Sequence, residues 1–370
     1  MEKKLTVIPG DGIGPEVTRE AVKVLKAVAS RFGHRFEFDN KLMGACAIDA
    51  TGVPLPGDTV DAALESDAIL LGAIGDPKYD NNPAAKVRPE QGLLQLRKAL
   101  GLYANIRPVK TYAALSHLSP IKEKNAENTD MVIYRELTGG IYFGEKKLNE
   151  EGTIASDECT YHRYEIERVA HLAFEAALLR RKKLTLVDKA NVLETSRLWR
   201  STVQEIQSQY PEVKVDYLFV DNAAMQLILN PSQFDVILTE NMFGDILSDE
   251  ASVISGSLGL LPSSSIGNKA LFEPIHGSYP QAAGKDIANP LGTILSAAMM
   301  LDHFKAHEEA ALIREAVDWT MQNGFVTRDI DSINFYFTST VGDLMAEYVA
   351  NELPVKINKR NIRMGHVTII

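Results

Sequence analysis

The sequence has little cysteine, no long hydrophobic run and no excess of positive charge. Its two cysteines, Cys46 and Cys159, are too few and too far apart for a disulfide framework or a zinc site. No apolar stretch approaches the roughly 20 residues of a membrane span. The apolar run near the N-terminus ends at Pro9, which is too early for a signal peptide. We therefore expect a cytoplasmic protein that does not enter a membrane.

The net charge argues against nucleic acids and anionic membranes as partners. The formal charge is -10 over 370 residues, so both kinds of polyanion would be repelled by the protein as a whole. A small anionic substrate needs only a local basic pocket. The hydrophobic content of 45% and the charged content of 24% are typical of globular proteins, and the length predicts about two domains.

Short apolar runs alternate with longer segments of helical periodicity, which predicts an α/β fold with much parallel sheet. The paired segments are 5–8 and 16–32, 68–71 and 91–100, 184–187 and 195–209, and 236–238 and 245–255. Segment 132–148 differs because its β-branched and aromatic residues are separated by glycines without a helical period. It predicts antiparallel strands, either as an arm that pairs with a second copy or as a surface hairpin. The chain beyond Pro354 is expected to be a solvated tail or an added edge strand.

Two aspartates indicate a metal site. Asp245 and Asp249 follow Gly244 and are four residues apart, so a helix beginning there points both carboxylates the same way. Hard cations such as Mg²⁺ or Mn²⁺ prefer oxygen ligands of this kind. The alternative is that acidic residues in a first helical turn complement the helix dipole.

The glycine-rich turn 9–16 follows a predicted strand and opens a helix, yet it is not a dinucleotide-binding fingerprint. It lacks the third glycine position, and no acidic residue ends a second strand about twenty residues later. We therefore exclude a standard Rossmann fold. The turn predicts a close backbone approach to a ligand or to a neighbouring segment.

Between residues 90 and 97, the helical spacing of Glu90, Leu93, Leu94 and Arg97 would place them on one face. Either the leucines belong to the core and Arg97 reaches the surface, or the face forms an apolar wall for a branched alkyl group beside a carboxylate-binding arginine. Two further arginines, Arg107 and Arg135, could converge with Arg97 on a dicarboxylate. Separate surface ion pairs are the alternative for all three.

Lys189 and Asp221 each lie just beyond a predicted strand, where open parallel sheets bind ligands. A buried lysine there would exchange protons at neutral pH, and the aspartate would complete a metal shell. A structural ion pair or a helix cap is the alternative. The polar loop 273–290 precedes a helix that runs through Leu301, and a nucleotide could lie along it beside His276.

Together these motifs resemble the isocitrate and isopropylmalate dehydrogenase family over roughly residues 4–350. Several specific motifs occur in the family's order, which one short motif alone would not establish. They are segments 10–16, 134–142, 188–191, 241–249 and 273–278. Segment 92–97 is similar to the isopropylmalate branch, whose members have apolar side chains where isocitrate enzymes place a serine.

The resemblance implies a two-domain α/β fold of the family's own type, with a β arm at a homodimer interface. Residues 1–100 and 255–350 would form the cofactor-binding domain, 101–254 the substrate, metal and dimerisation domain, and 351–370 a tail. The implied reaction is NAD-dependent oxidation and decarboxylation of (2R,3S)-3-isopropylmalate to 4-methyl-2-oxopentanoate in leucine biosynthesis. Malate, tartrate, isocitrate or homoisocitrate are alternative substrates, and a non-catalytic carboxylate-binding subunit is a further alternative.

The resemblance also implies roles for individual residues. Lys189 would accept the hydroxyl proton and Tyr142 would protonate the enol carbon. Asp245 and Asp249 would hold Mg²⁺ or Mn²⁺ together with Asp221 of a second subunit, which would also contact the substrate. Lys189 and Asp221 would come from one subunit, and Tyr142, Asp245 and Asp249 from the other. The implied substrate contacts are Arg97, Arg107, Arg135, Leu93, Leu94 and Val192, and the implied cofactor contacts are Glu90, His276, Gly277, Ser278, Gln281 and Asn289.

Gln281 departs from the family pattern. The NAD-using isopropylmalate enzymes usually have an aspartate here that binds the ribose hydroxyls. An amide still binds a diol but does not repel a 2'-phosphate as a carboxylate does. Lys285 is the only nearby cation in the sequence, so NAD is favoured over NADP.

Overall fold

The structure, a computed structural model, describes residues 1–80, 87–352 and 364–366. The chain divides into two compact units. The first unit comprises Met1–Gly101 and Ser257–Ile370, and the second comprises Leu102–Gly256. The resemblance implies that the chain passes from one domain to the other after residues 100 and 254. The observed unit boundaries lie after residues 101 and 256.

The strands of the described residues follow one another along the chain as listed here. They are β1 (Glu2–Gly10), β2 (Arg35–Asn40), β3 (Ala68–Ala73), β4 (Leu102–Lys110), β5 (Asp130–Glu136), β6 (Lys146–Leu148), β7 (Ala155–Asp157), β8 (Lys183–Asp188), β9 (Lys214–Phe219), β10 (Val236–Thr239), β11 (Pro262–Gly267), β12 (Ala270–Pro274), β13 (Asn334–Tyr336) and β14 (Met364–His366).

The α-helices are α1 (Gly14–Phe32), α2 (Ala45–Thr51), α3 (Gly57–Glu65), α4 (Pro77–Asp80), α5 (Pro89–Ala99), α6 (Glu123–Ala126), α7 (Arg163–Leu179), α8 (Glu194–Gln207), α9 (Val220–Leu229), α10 (Asn241–Ser252), α11 (Leu291–His303), α12 (His307–Gln322) and α13 (Thr338–Ala350). Short 3₁₀ helices span Ala113–Leu118, Pro231–Gln233, Val253–Ser255, Leu258–Leu260 and Pro280–Ala282. Within the described ranges, none of the helices is both long and apolar enough to cross a membrane.

The first unit contains a mixed sheet in the order β2-β1-β3-β12-β11. The β1–β2, β1–β3 and β3–β12 pairs are parallel, whereas β11 and β12 are antiparallel. The β3 sequence is apolar throughout and wholly buried, as expected of a strand covered on both faces. Helices α1, α11, α12 and α13 pack against one another in this unit.

The second unit contains a sheet in the order β4-β5-β10-β8-β9. Only β4 and β5 pair in antiparallel fashion there, and β5, β10, β8 and β9 run parallel. Alternate β5 side chains face opposite cores, because successive side chains of a strand point to opposite faces. Val132 and Tyr134 pack with α7 and α8, while Met131 and Ile133 pack with α9 and α10. The predicted α/β class with much parallel sheet is therefore confirmed.

The glycine-rich turn between β1 and α1 contacts neighbouring segments of its own unit. A Cβ atom at Gly10 would overlap the Ala73 carbonyl, and one at Gly12 would overlap the Ser278 carbonyl. Both glycines have positive φ, at 72° and 58°, which glycine adopts without steric cost. The Ile13 amide also donates to the Ser278 carbonyl at 2.8 Å. The predicted close approach thus joins the turn to the loop that follows β12.

The prediction of antiparallel strands throughout 132–148 is only partly correct. β5 is antiparallel to β4 but ends at Glu136. Residues 138–144 form bends and turns. The backbone there packs tightly against Tyr161 and Glu158. A Cβ atom at Gly139 would lie 2.7 Å from the Tyr161 ring, and one at Gly144 would overlap the Glu158 carbonyl. The arm is reduced to the short, exposed β6–β7 hairpin.

Most of the predicted 351–370 tail lies outside the described residues. Its described part, β14, pairs in antiparallel fashion with β13 and forms a separate two-stranded sheet. The tail therefore contributes a strand, but this strand is not an edge of either large sheet.

Candidate active site

Parallel strands bring several predicted site residues to one edge of the second unit. Arg135 of β5 is level with Thr239 of β10, and Thr239 is level with Val187 of β8. Lys189 follows two residues after Val187, and Asp221 follows β9, the neighbour of β8. Ligands of open parallel sheets bind at this carboxyl edge.

Two arginines and a tyrosine converge on the α10 carboxylates. The Tyr142 hydroxyl donates to Asp245 Oδ2 at 3.0 Å, and Arg135 Nη1 donates to Asp245 Oδ1. Arg107 Nη1 donates to Asp249 Oδ1 at 3.0 Å, and its Nη2 lies 4.0 Å from Asp245 Oδ1. The cluster combines two guanidinium groups, a phenolic hydroxyl and two carboxylates.

The α10 helix begins earlier than predicted. Its first residue is Asn241, so Gly244 lies inside the helix and does not form a turn before it. No acidic residue occupies the first turn, and the helix-dipole interpretation of Asp245 and Asp249 is therefore wrong. Gly244 is required for packing, because a Cβ atom there would lie 2.6 Å from Arg135 Cγ.

The arginines of this cluster do not form surface ion pairs. The side chains of Arg107 and Arg135 are only 14% and 9% exposed. Burial and the hydrogen bond to Asp245 raise the pKa of Tyr142 above its ordinary value. The Tyr142 hydroxyl therefore keeps its proton at neutral pH and is available as an acid.

Lys189 and Asp221 form an ion pair with each other. Lys189 Nζ donates to Asp221 Oδ1 at 2.6 Å, and this bond holds the pKa of the Asp221 carboxyl below its ordinary value. The lysine side chain is 27% exposed and the aspartate 62% exposed, so both groups are accessible to a ligand. Val192, three residues beyond Lys189, is also exposed.

The residues present fit part of a divalent-metal site. Asp245 and Asp249 offer carboxylates from adjacent turns of α10, and their side chains are 35% and 70% exposed. Over the described part of the chain, no group of three or more His, Cys, Asp or Glu residues is arranged to hold a metal. Asp221 therefore does not join the other two aspartates within one chain.

In the first unit, the predicted face of α5 is exposed at Glu90 and Leu94 and half-buried at Leu93 and Arg97. Leu94 is 56% exposed and Leu96 is the buried leucine of this helix, so Leu94 is not a core residue. Arg97 Nη2 donates to Glu273 Oε1 at 2.8 Å. Glu90 lies in the first turn of the same helix, with Oε1 directed toward Gly75.

The loop after β12 is fixed by hydrogen bonds from backbone amides to side-chain oxygens. Glu16 accepts from the amides of Gly284 and Asp286. Asn289 accepts from the Leu291 amide at 3.0 Å, at the start of α11. Gln281 lies in the 3₁₀ helix Pro280–Ala282, after the buried Ser278.

His276 has an unpaired atom in this loop. Burial lowers the pKa of its imidazole, so the ring is neutral near pH 7. Nδ1 lies 3.0 Å from the Gly277 carbonyl, which can only accept, so Nδ1 carries the hydrogen and Nε2 is an acceptor. Nε2 is buried without a partner among the residues described. A ligand with a hydrogen-bond donor would satisfy it, and a Cβ atom at Gly277 would meet open space.

Asn241 and Glu240 are absent from the residues that the sequence predicts to form the site. Both follow β10 at the carboxyl edge of the sheet, and both are buried. Their position after a predicted buried strand, like that of Lys189, is the signal that identifies them.

Comparison with known proteins shows the relationships of this chain. A family described as isocitrate/isopropylmalate dehydrogenase matches residues 4–345. A 3-isopropylmalate dehydrogenase of Heyndrickxia coagulans is 55% identical over 347 residues, which are 92% of this chain and 94% of that protein. This chain belongs to the isocitrate/isopropylmalate dehydrogenase family. It is therefore an oxidoreductase, an oxidative decarboxylating dehydrogenase, as the motifs predict.

Solved structures of the family have the same fold. The crystal structure of isocitrate dehydrogenase from Methylococcus capsulatus has a TM-score of 0.83 at 36% identity, covering 94% of this chain and 99% of that one. A β-decarboxylating dehydrogenase of Thermococcus kodakarensis has a TM-score of 0.79 at 38% identity, covering 94% and 96%. The family's own type of α/β fold, distinct from the standard Rossmann fold, is thus confirmed.

Proposed function

We propose that this protein oxidises and decarboxylates (2R,3S)-3-isopropylmalate to 4-methyl-2-oxopentanoate and CO₂, with NAD⁺ as the oxidant, in leucine biosynthesis. The observation that carries the proposal is the convergence of Tyr142, Arg107 and Arg135 on the Asp245 and Asp249 carboxylates. Relatives that are 50% to 56% identical are named 3-isopropylmalate dehydrogenase, which favours this substrate over isocitrate.

The substrate is a dicarboxylate with a branched alkyl group, and each part has a matching set of residues. Arg107 and Arg135 offer guanidinium groups to the carboxylates, since planar guanidinium groups bind carboxylates through two parallel hydrogen bonds. Arg97 on α5 is the third arginine proposed for this role. Leu93, Leu94 and Val192 are the residues proposed to offer apolar surface to the isopropyl group.

Two proton transfers are needed. Lys189, as the neutral amine, accepts the proton of the substrate hydroxyl as the carbonyl forms, after its ammonium group has lost a proton and its bond to Asp221 has been exchanged for one to the substrate. Loss of CO₂ then leaves an enolate, and the Tyr142 hydroxyl gives its proton to the enolate carbon. The raised pKa of Tyr142 suits this role because the hydroxyl is still protonated when the enolate forms.

Asp245 and Asp249 would hold Mg²⁺ or Mn²⁺, with Asp221 of a second subunit as a further ligand. Such an ion supplies positive charge that polarises the substrate hydroxyl and later the keto oxygen. Arg107 and Arg135, which bind these carboxylates in the structure, are then available to the substrate.

NAD⁺ is proposed to bind in the first unit along the loop 276–290. The buried Nε2 of His276 is an acceptor that suits the amino group of adenine, and Gln281 offers an amide to the ribose hydroxyls. Gly277, Ser278 and Asn289 belong to the same loop, and Glu90 is the proposed neighbour of the nicotinamide. NAD is preferred to NADP because Lys285 alone offers positive charge in this segment.

A homodimer is proposed from the apolar surface beside the candidate ligands. Met225, Ile228 and Leu229 of α9 are 55%, 39% and 60% exposed, and Met225 and Ile228 share a helix face with Asp221. Ile246 on α10, which packs against α9, and Val253 in the 3₁₀ helix that follows α10 are also exposed. Adjacent exposed apolar groups of this kind mark interaction sites. Burial of this face against a second copy would bring Asp221 of that copy into the metal site.

The test is NADH formation with 3-isopropylmalate, isocitrate, malate and tartrate, each with Mg²⁺, with Mn²⁺ and with EDTA, and repeated with NADP⁺. We expect metal-dependent reduction of NAD⁺ with strong preference for 3-isopropylmalate. Activity confined to another hydroxy acid would overturn the substrate. Undiminished turnover in EDTA would overturn the metal site, and preference for NADP⁺ would overturn the role of Gln281.

A further inference from the structure

The Asn241 side chain connects two parts of the candidate active site. Its Oδ1 accepts from Arg135 Nε at 3.0 Å and from Arg135 Nη2 at 2.9 Å. Its Nδ2 donates to the Gly139 carbonyl at 3.2 Å. The side chain is buried, and the proposed mechanism assigns no role to it.

The chemistry of the neighbours determines the orientation of this amide. A guanidinium group only donates hydrogen bonds and a backbone carbonyl only accepts them. The amide oxygen must therefore face Arg135 and the amide nitrogen must face Gly139. No other side chain of this size supplies both an acceptor and a donor without a charge, so the contact selects asparagine.

Gly139 begins the turn that carries Tyr142. Its amide donates to Glu136 Oε2 at 2.8 Å, and the next amide, that of Gly140, donates to the Thr160 carbonyl at 2.9 Å. With both amides and the Gly139 carbonyl bonded, the beginning of the turn is fixed. Tyr142 follows three residues later and reaches Asp245.

Asn241 is itself held in place from a third direction. Its backbone amide donates to the Tyr161 hydroxyl at 3.0 Å, and the Tyr161 ring packs against Gly139 and Gly140. Asn241 therefore cannot shift without disturbing the turn. Asn241 is also the first residue of α10. Its contacts therefore connect the helix that carries Asp245 to Arg135 and to the turn.

We propose that Asn241 is a positioning residue that holds Arg135 and the Tyr142 turn in fixed relation to each other. The proposal rests on the proposed function, because it assumes that Arg135 binds substrate and that Tyr142 delivers a proton. Asn241 itself contacts neither the substrate nor the reacting atoms. Its Oδ1 binds Arg135, and its Nδ2 binds Gly139 in the turn that carries Tyr142, so substitutions can separate the two effects.

Asn241→Asp and Asn241→Leu separate them. The aspartate keeps the acceptor for Arg135 but loses the donor to Gly139, so we expect KM for 3-isopropylmalate to stay within about 3-fold while kcat falls about 10-fold or more, as for a misplaced catalytic group. The leucine loses both contacts, and we expect KM to rise about 10-fold in addition. If the substitutions only damaged the fold, kcat would fall by similar factors in both variants, and KM would not differ between them.

A double-mutant cycle with Tyr142→Phe tests whether the kcat effect acts through Tyr142. We expect Asn241→Asp to change kcat less than about 2-fold in that background, since groups that act as a unit are not additive. The matched control is Asn125→Asp, which also removes an amide donor to a backbone carbonyl, that of Ile228. A full kcat effect in the Tyr142→Phe background would overturn the proposal.

A second readout does not depend on turnover. With 3-fluorotyrosine at position 142, we expect the ¹⁹F resonance to move toward that of an exposed fluorotyrosine in Asn241→Asp and to stay unchanged in Asn125→Asp. An inactive wild type with this shift would overturn the proposed function but retain the positioning role. An active wild type in which Asn241→Asp changes neither the resonance nor kcat would overturn the positioning role alone.

Discussion

The side chain of Arg135 crosses Gly244 so closely that a Cβ atom at Gly244 would lie 2.6 Å from Arg135 Cγ and 2.8 Å from Arg135 Cβ. Glycine inside a helix costs about 1 kcal/mol relative to alanine. At this position the absence of a side chain lets α10 approach β5, so that Arg135 reaches both Asn241 and Asp245.

Gly244→Ala is therefore expected to displace Arg135. We predict that KM for 3-isopropylmalate rises about 10-fold and that the melting temperature falls, because overpacking typically costs about 1–3 kcal/mol, more than the gain in helix propensity. Steady-state kinetics and thermal denaturation measure both effects. Gly57→Ala is the control, since a Cβ atom there meets open space, and an unchanged KM in Gly244→Ala would contradict the assigned contact.

Gly244 also shows where prediction from sequence ends. A glycine before two acidic residues is typical of a turn followed by a helix, and the sequence cannot distinguish this from a glycine that gives room to a distant side chain. The arginine that needs the room is far away in sequence, in β5. The position of the Asp245–Asp249 pair on one helix was predictable because it depends only on local spacing.

Lys189 and Asp221 were predictable for a different reason. Both follow strands, and the ends of parallel strands meet at one edge whatever the connecting lengths are. That they pair with each other was not predictable, because the sequence does not show the order of strands in a sheet. The pair forms because β8 and β9 are neighbours. The turn 138–144 was not predictable, since its shape depends on Tyr161 and Glu158, which pack against its glycines.

Lys189→Met is predicted to abolish turnover without loss of the fold. The kcat should fall by about 10²-fold or more, as for removal of a general base, while the melting temperature changes little because the Lys189–Asp221 pair is accessible to solvent. The control is Lys182→Met, which removes a comparable ion pair with Glu212 in the same unit. The mechanism requires that Lys189→Met binds the substrate with unchanged affinity but does not turn it over. A retained kcat would show that another group is the general base.

Leu94→Ser is predicted to alter substrate preference. Leu94 is 56% exposed, so the substitution should leave stability almost unchanged, but it removes apolar surface proposed to face the isopropyl group. We expect the ratio of kcat/KM for 3-isopropylmalate to that for malate to fall about 10-fold, the typical effect of an altered apolar pocket. Leu64→Ser is the control, since Leu64 is a similarly exposed leucine on α3. An unchanged ratio would exclude Leu94 from the substrate site.

Glu240 predicts a pH dependence of stability. Burial, with a smaller effect of the Glu136 charge, raises the pKa of Glu240 from 4.5 to about 7. Below about pH 4.5 the carboxyl is protonated in both the folded and the unfolded protein, so its contribution to stability is fully present. Between pH 4.5 and 7 the unfolded chain releases the proton while the folded protein retains it, and stability falls as the pH rises.

Glu240→Gln removes this titration. At about 1.4 kcal/mol per pKa unit, the variant should gain on the order of 3 kcal/mol relative to the wild type between pH 4.5 and 8, measured by urea denaturation across that range. The neighbouring Glu136 is present in both proteins, and burial raises the pKa values of Tyr161 and Cys159, so they stay protonated over most of the range. The control is Glu150→Gln on the exposed surface. A stability difference between wild type and Glu240→Gln that stays constant from pH 4.5 to 8 would show that folding does not raise the pKa of Glu240, and would contradict this prediction.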